Sequence, residues 1–283
     1  MILFQRLLFD NIRRPAYKIG MDPESCHFHY SLQAEWLAES RRFLFRKAGI
    51  AGRGSILDFG CGSGVITDEL RSRGGVDVVG IDRDPRMARL ARDKFPHTRF
   101  EIGSEETLLS EKRTFDLIVF SFVLMWQRNP ASFLKKIKKL LKPGGKLLFL
   151  AEPDYGGRID TPDGLAGLRD FYGGCIRAEG GDPFVGRKLH HLLTAAGFVA
   201  QVGVFNHLSF IGSYDRKTWE REWGFWEELS RTDTRALRKL EWAAIRKGER
   251  AVLFPLFYAV AGIIGPREPK RLPHEPGAKE RTG

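Results

Sequence analysis

The chain has 283 residues, 42% hydrophobic and 29% charged, which suits one full-sized core burying roughly three quarters of the unfolded surface and does not suit a disordered chain. Lys and Arg number 46 against 35 Asp and Glu, a formal charge of +11 that points to anionic partners rather than to a fold. Three cysteines (Cys26, Cys61, Cys175) without paired spacing argue against a disulfide framework or a zinc cluster, and fit a reducing, cytoplasmic compartment.

Residues 2–14 set Ile2, Leu3, Phe4, Leu7, Leu8 and Ile12 among Arg6, Asp10, Arg13 and Arg14. That is the pattern of an amphipathic helix packed on the body, with a lid or membrane-surface helix as the alternative. The opening lacks a basic segment ahead of a clean apolar block, so no cleaved signal peptide is expected. A second helix is predicted over 31–47, before Gly49 and Gly52. From Ser55 short apolar runs alternate with amphipathic stretches. Strands are predicted at 55–59, 76–81, 98–102, 115–121 and 146–151, and helices at 65–73, 85–94 and 130–141. Such alternation implies right-handed crossovers and a mainly parallel sheet covered on both faces. After Glu152 the rhythm loosens into a loop at 153–162, two helical stretches ending at Gly197, and strands at 198–210 and 251–260. A Trp-rich helical segment, 214–250, separates those last strands. The apolar run 251–264 is too short to span a bilayer. It carries Pro255, where a bulge or irregularity is expected. From Pro266 the chain is rich in proline and charge, and a mobile tail is expected.

The sharpest local feature is Ile56-Leu-Asp-Phe-Gly-Cys-Gly-Ser-Gly64, at the junction of the first strand and its helix. Its glycines let the backbone turn tightly and approach a ligand without Cβ interference. In a doubly wound sheet this turn sits at a strand's carboxyl end, where nucleotide-like ligands bind. Asp82 closes the second strand 18 residues beyond Gly64, where a carboxylate can accept both ribose hydroxyls of an adenosine moiety. The bland alternative is a helix cap before Pro85, a job for which Asp84 is better placed. These residues alone do not separate a dinucleotide from another adenosine cofactor.

The remaining pattern does. Phe115-Asp-Leu-Ile-Val, Val123-Leu-Met-Trp-Gln-Arg-Asn-Pro130 and Leu141-Lys-Pro-Gly-Gly-Lys-Leu-Leu148 follow in order. With the Asp-x-Gly-x-Gly-x-Gly turn, the chain resembles class I S-adenosylmethionine-dependent methyltransferases over about residues 50–155 and again in the two late strands. The resemblance implies a Rossmann-like, doubly wound, seven-stranded mixed α/β sheet with the last strand antiparallel and helices on both faces. It implies a helical lid over 1–50, the methyltransferase domain over 51–265 with a helical insertion at about 213–250, and the tail at 266–283. Carried over by position, Asp58 and the backbone at Gly60, Cys61 and Gly62 would hold the amino-acid end of S-adenosyl-L-methionine. Asp82 would take the ribose, with Arg83 and Met87 flanking the adenine, and Phe120, Ser121 and Met125 would lie near the methionine part. One departure concerns the adenine amino group. The family often has Gly-Asp-Ala after the third strand, and here the stretch is Gly103-Ser-Glu-Glu106, leaving Ser104, Glu105 or the backbone to do that work. The tetrapeptide that marks amino-methylation of DNA bases is missing, because its place reads Phe120-Ser-Phe-Val123. Cys61 lies inside the turn with no basic partner near in sequence, so a nucleophile is not read there.

A sulfonium methyl is already electrophilic, so positioning alone can supply much of the rate, with effective molarities of roughly 10⁵ to 10⁸ M for well-oriented reactants. A general base adds about 10² to 10⁴-fold where the acceptor must lose a proton. No catalytic residue is therefore demanded. Candidate substrate contacts are Glu152, Asp154, Tyr155 and Arg158 after the fifth strand, His207 in the sixth, and Tyr30 in the lid-like segment Cys26-His-Phe-His-Tyr30. The competing readings are an Arg158–Asp160 pair in a plain turn and a structural His207. His27 and His29 have a spacing that metals use, but without a further ligand no metal is expected. Trp219, Trp223 and Trp226 share one helical face, for packing or for an aromatic substrate wall. Six lysines at 135, 136, 138, 139, 142 and 146 concentrate the surplus charge on what reads as the solvated outer face of the helix before the fifth strand. A small-molecule acceptor is thus the leading expectation. Methylation of RNA or protein, and a cofactor-binding protein with a sensing or non-methylating role, are the alternatives.

Overall fold

The computed structural model describes residues 21–52, 54–74, 77–210, 215–230 and 232–263, with side chains described for all of these except 206–210. The helix read at 2–14 and the tail from 266 lie outside the described residues. The single helix expected at 31–47 is two helices, α1 (Pro23–Trp36) and α2 (Ala38–Ala48). Asp22 accepts from the Ser25 amide and Pro23 takes the first turn, so the helix starts well before 31. The break at Leu37 sets that side chain against Ala151 and Leu256, and α2 stops at Gly49 in the left-handed region.

Six elements then alternate: β1 (Ser55–Phe59), α3 (Val65–Ser72), β2 (Asp77–Asp82), α4 (Pro85–Lys94), β3 (Arg99–Ile102) and α5 (Glu105–Ser110). Next come β4 (Phe115–Ser121), α6 (Pro130–Lys138) and β5 (Leu141–Pro153), so the helix stops earlier and the strand starts earlier than expected. β6 (Ile159–Thr161), α7 (Gly167–Ala178), α8 (Val185–Ala195), β7 (Val199–Phe210), α9 (Arg216–Leu229), α10 (Arg235–Lys247) and β8 (Ala251–Gly262) complete the chain. The sheet order is β3-β2-β1-β4-β5-β8-β6, with β7 also paired to β8. β1 to β5 are mutually parallel, and β8 is antiparallel to every strand it touches. This is the expected doubly wound mixed sheet. β6 is a short addition that continues the β5 side of β8, pairing Ile159–Thr161 with Leu253, Val252 and Ala251. All five residues of β1 are buried, as a central parallel strand covered on both faces requires.

The irregularity expected at Pro255 lies elsewhere. β8 pairs with β7 in unbroken register from Val199–Gly262 to Phe210–Ala251. The extra residue is in β5, where Phe149 opposes Ala259 but Glu152 opposes Phe257, and the same offset appears against β4 between Phe120 and Ser121. Pro255 faces the gap between β5 and β6. Its carbonyl accepts from the Asp154 amide at 3.1 Å, and its missing N–H falls where the ladder is already interrupted.

Candidate active site

The carboxyl ends of β1, β2 and β4 open onto one cavity of about 710 Å³, roofed by α1 and α9. Its floor is the glycine turn. The amides of Gly60 and Cys61 both donate to the Ile81 carbonyl, at 2.8 and 3.0 Å, and the Gly62 amide donates to the Asp82 carboxylate at 2.9 Å. The first turn is thereby stitched to the end of β2. Gly60 and Gly62 have φ of +71° and +53°, and a Cβ on Gly62 would stand 2.9 Å from the Tyr30 ring.

Asp58 and Asp82 meet at this end of the cavity. Asp58 is 2% exposed and accepts from Thr67 Oγ1 of α3 at 2.6 Å. Burial pushes its carboxyl up to about 7, against the Thr67 hydrogen bond and with a further push from the Asp82 charge. Burial also raises Asp82, against the amides of Asp84 and Gly62 that it accepts. Two amide bonds leave its oxygens further lone pairs for a ligand. Asp84 caps α4 through the Arg86 amide, so the capping job falls to it and not to Asp82.

Arg83, Met87, Ser104, Glu105, Ser121 and Met125 line the cavity with the floor residues. Ser104 opens α5 in a capping box with Thr107, and Glu105 pairs with Lys136. Cys61 is buried and its thiol pushed well above the usual range, first by desolvation, so thiolate chemistry is disfavoured. Phe120 is not on the wall. It faces the opposite side of β4 from Ser121, fully buried, stacked on Phe149 at 4.6 Å and edge-on to Phe133.

The residues read as substrate contacts divide. Tyr30 and Tyr155 line the cavity; Glu152 and Arg158 do not. Glu152 is fully buried and accepts the amides of Val123, Leu124 and Met125 at 3.2, 2.9 and 3.3 Å. It is a frame for the loop after β4, and burial lifts its carboxyl to about 8. Arg158 donates twice to Asp160 and lies over Tyr172 at 4.4 Å. Asp154 accepts twice from Arg187. The backbone of His207 in β7 pairs with Phe254 of β8, and its side chain lies outside the described residues.

His27 and His29 sit on α1 and turn to different partners, Ser63 and Glu222. The tryptophans also split. Trp219 and Trp223 donate to Glu241 within the packing, whereas Trp226 joins the cavity wall beside Phe225. Sequence reasoning did not assign Gln33, Arg41, Phe122, Trp126, Phe225 and Leu229 to the site, and all line the cavity. Arg41 is 7% exposed, held by Glu69 and the Ala34 carbonyl. The available signal was the i, i+4 spacing of His29 and Gln33, readable only once the helix is started at Pro23.

A family profile described as a methyltransferase domain matches residues 28–201, more than half of the chain. The chain is 31% identical over 149 residues to a trans-aconitate 2-methyltransferase of Methylobacterium radiotolerans, covering 50% of this chain and 53% of that protein. It thus spans about half the length of the curated relatives it matches. Among solved structures it is similar in fold to the YcgJ protein from Bacillus subtilis (TM-score 0.53, 16% identity, 80% of this chain and 98% of that one). It is similar also to the plantazolicin methyltransferase BpumL, solved in complex with a monoazolic desmethylPZN analog and SAH (TM-score 0.51, 15% identity, 84% and 88%). Among the described residues no helix is long and apolar enough to cross a membrane.

Proposed function

The chain belongs to the methyltransferase domain family, and from that premise we propose that it moves a methyl group from S-adenosyl-L-methionine to a small organic acceptor. The observation that carries this reading is a single cavity whose lining combines two unlike sets: the glycine turn with Asp58 and Asp82, and the apolar Met125, Trp126, Phe225 and Trp226. Its volume of about 710 Å³ falls within the range of small-molecule sites.

The residues fit the cofactor. Buried Asp58 suits an ammonium, and Asp82 keeps acceptor capacity for ribose hydroxyls. Arg83 and Met87 border the expected adenine place, with Ser104 and Glu105 beside it. When bound, the cofactor supplies an electrophilic methyl on a sulfonium. The chain's own work is to orient and to exclude water. Gly60, Cys61 and Gly62 bring backbone close to the ligand, and Glu152 fixes the loop that presents Met125. Helices α1 and α2 act as the lid, with Tyr30 over Gly62.

The net charge supports a small molecule more than RNA or protein. Lys136, Lys138 and Lys142 are engaged by Glu105 and Glu106, the Gly197 carbonyl and Asp116. That differs from the wholly solvated face read from sequence. Three buried thiols, none in a disulfide, fit a cytoplasmic setting.

Isothermal titration with S-adenosylhomocysteine tests the reading. Saturable binding is expected, weakened at least about tenfold by Asp82→Ala, the loss of about 1.4 kcal/mol. Absence of binding by the native chain overturns it.

A further inference from the structure

The wall of the cavity holds an arrangement that the methyltransferase reading does not use. His29, on α1, is 3% exposed and lines the cavity with Gln33 one turn later. Its ring lies flat on Phe225, centroids 3.8 Å apart and 12° from parallel, and edge-on to Trp226 at 5.4 Å. Both ring nitrogens are engaged at 2.9 Å, Nδ1 by the Glu222 carboxylate and Nε2 by the amide nitrogen of Gln33. Only one proton arrangement satisfies both contacts. An amide nitrogen only donates, so Nε2 carries the lone pair; Nδ1 then carries the proton and donates to the carboxylate. Glu222 is steadied in turn by Trp226 Nε1 at 3.1 Å, and Arg221 beside it lies over Phe28 of α1 at 3.7 Å. The result is a histidine with a fixed tautomer, an orienting carboxylate behind it and a basic nitrogen capped by Gln33 of the same cavity wall, an arrangement that serves as a general base once a ligand displaces that amide.

The same wall narrows the ligand. Phe225 and Trp226 adjoin His29, and Phe122, Met125, Trp126 and Leu229 also line the cavity, which suits a flat apolar body. An amine acceptor would want an open carboxylate, and Glu222 is covered by His29 and Trp226. A carboxylic acid would want a cation, and the guanidinium of Arg41 is already matched by Glu69. A hydroxyl wants one acceptor for its proton; Nε2 becomes that acceptor when the Gln33 amide, which donates to it at 2.9 Å, turns to donate to the hydroxyl oxygen instead.

Resting on the methyltransferase reading, we propose that the cavity beside His29 binds a flat, phenol-class hydroxyl compound, and that His29, oriented by Glu222, takes the hydroxyl proton as the methyl arrives. The balance is simple. The oxygen's lone pair forms the new C–O bond, and the S–C pair stays on sulfur, which becomes a neutral thioether. The O–H proton goes to His29 Nε2, leaving an imidazolium against the Glu222 carboxylate that later loses the proton to water.

Three probes with one ring, 4-nitrophenol, 4-nitroaniline and 4-nitrobenzoate, test it on the full chain saturated with S-adenosylhomocysteine. Just below the pH at which free 4-nitrophenol ionises, its binding should raise the yellow phenolate band. Its affinity should exceed that of the other two at least about tenfold. His29→Phe keeps the stack on Phe225 and should abolish the band; the isosteric Glu222→Gln should shrink it. With the native methyl donor, methylation of 2-naphthol should fall about 10²-fold or more in His29→Phe. Preference for the amine or the carboxylate, failure of all three probes to bind, or a phenolate band unchanged in His29→Phe overturns the inference. Those failures with S-adenosylhomocysteine still bound sink the acceptor inference alone, whereas a native chain that does not bind it sinks the methyltransferase reading beneath.

Discussion

Asp58 carries the clearest chemical consequence at the scale of one residue. Its carboxyl is raised to about 7 by burial, so near neutrality about half of the ligand-free molecules hold a proton there. A cationic ammonium placed against it would favour the ionised form and pull that pKa down. Binding of S-adenosylmethionine or S-adenosylhomocysteine near pH 7 should therefore release up to about half a proton. Titration in two buffers of different ionisation enthalpy measures this directly, and Asp58→Asn should make the two heats coincide. Equal heats for the native chain would remove the ammonium from Asp58. Phe120 and Ser121 teach the complementary lesson. Adjacent on β4, they face opposite sides of the sheet, so a motif read at one-residue precision misplaced one of them.

At the scale of elements, the aromatic roof is tied to the sheet by buried charge. Glu241 on α10 accepts from Trp219 and Trp223 of α9 and from Arg250, which is fully buried ahead of β8 and also bonds Asp160 of β6. Arg158 completes the group through Asp160. Such a network contributes little net energy compared with an apolar replacement, but removing one partner strands a buried charge at a cost of about 3–5 kcal/mol. Glu241→Ala should lower stability by that order in chemical denaturation and loosen Trp226 in the cavity wall. Arg250→Met paired with Glu241→Leu should recover most of the loss; if the single variant is near neutral, the tie is not what holds the roof. The alternating βα run and the glycine turn were legible because parallel strands covered on both faces are short, apolar and separated by helices of regular length. Helix α1 was not. It lies between the sheet ends and α9, so His29 and Gln33 point into a cavity and break the apolar stripe that marks a surface helix. Glu152 was misread for a related reason. The bulge in β5, unreadable from composition, turns its carboxylate onto the amides of 123–125 and away from the ligand.

Over the whole molecule, the surplus of basic residues that opened the sequence combines with two buried acids to shape stability against pH. Asp58 and Glu152 have folded pKa values near 7 and 8, above those of the unfolded chain. Their contribution is therefore complete below about pH 4 and is lost progressively up to about 7 and 8, because over that range the unfolded chain ionises while the folded carboxyls keep their protons. Asp84, Glu101 and Asp116 lie the other way. Despite the upward push of partial burial on Asp84 and Glu101, hydrogen bonds and charge from Arg86 and Arg113 hold both low; Lys142 and Ser55 hold Asp116 low. Their contribution is present above the unfolded value and fades as the pH falls below about 4, where the +11 chain also gains further repelling charge. The ligand-free protein should consequently be most heat-stable near about pH 4 to 5, well below its isoelectric point of about 9.7. Saturating S-adenosylhomocysteine should lift the alkaline side of the curve more than the acid side, since it favours ionised Asp58. Thermal melts across pH, repeated with Asp58→Asn and Glu152→Gln, separate the two acids: each variant should flatten its own part of the decline, which ends near about pH 7 for Asp58 and about pH 8 for Glu152. A native optimum above pH 8 would mean that neither carboxyl is held neutral by the fold.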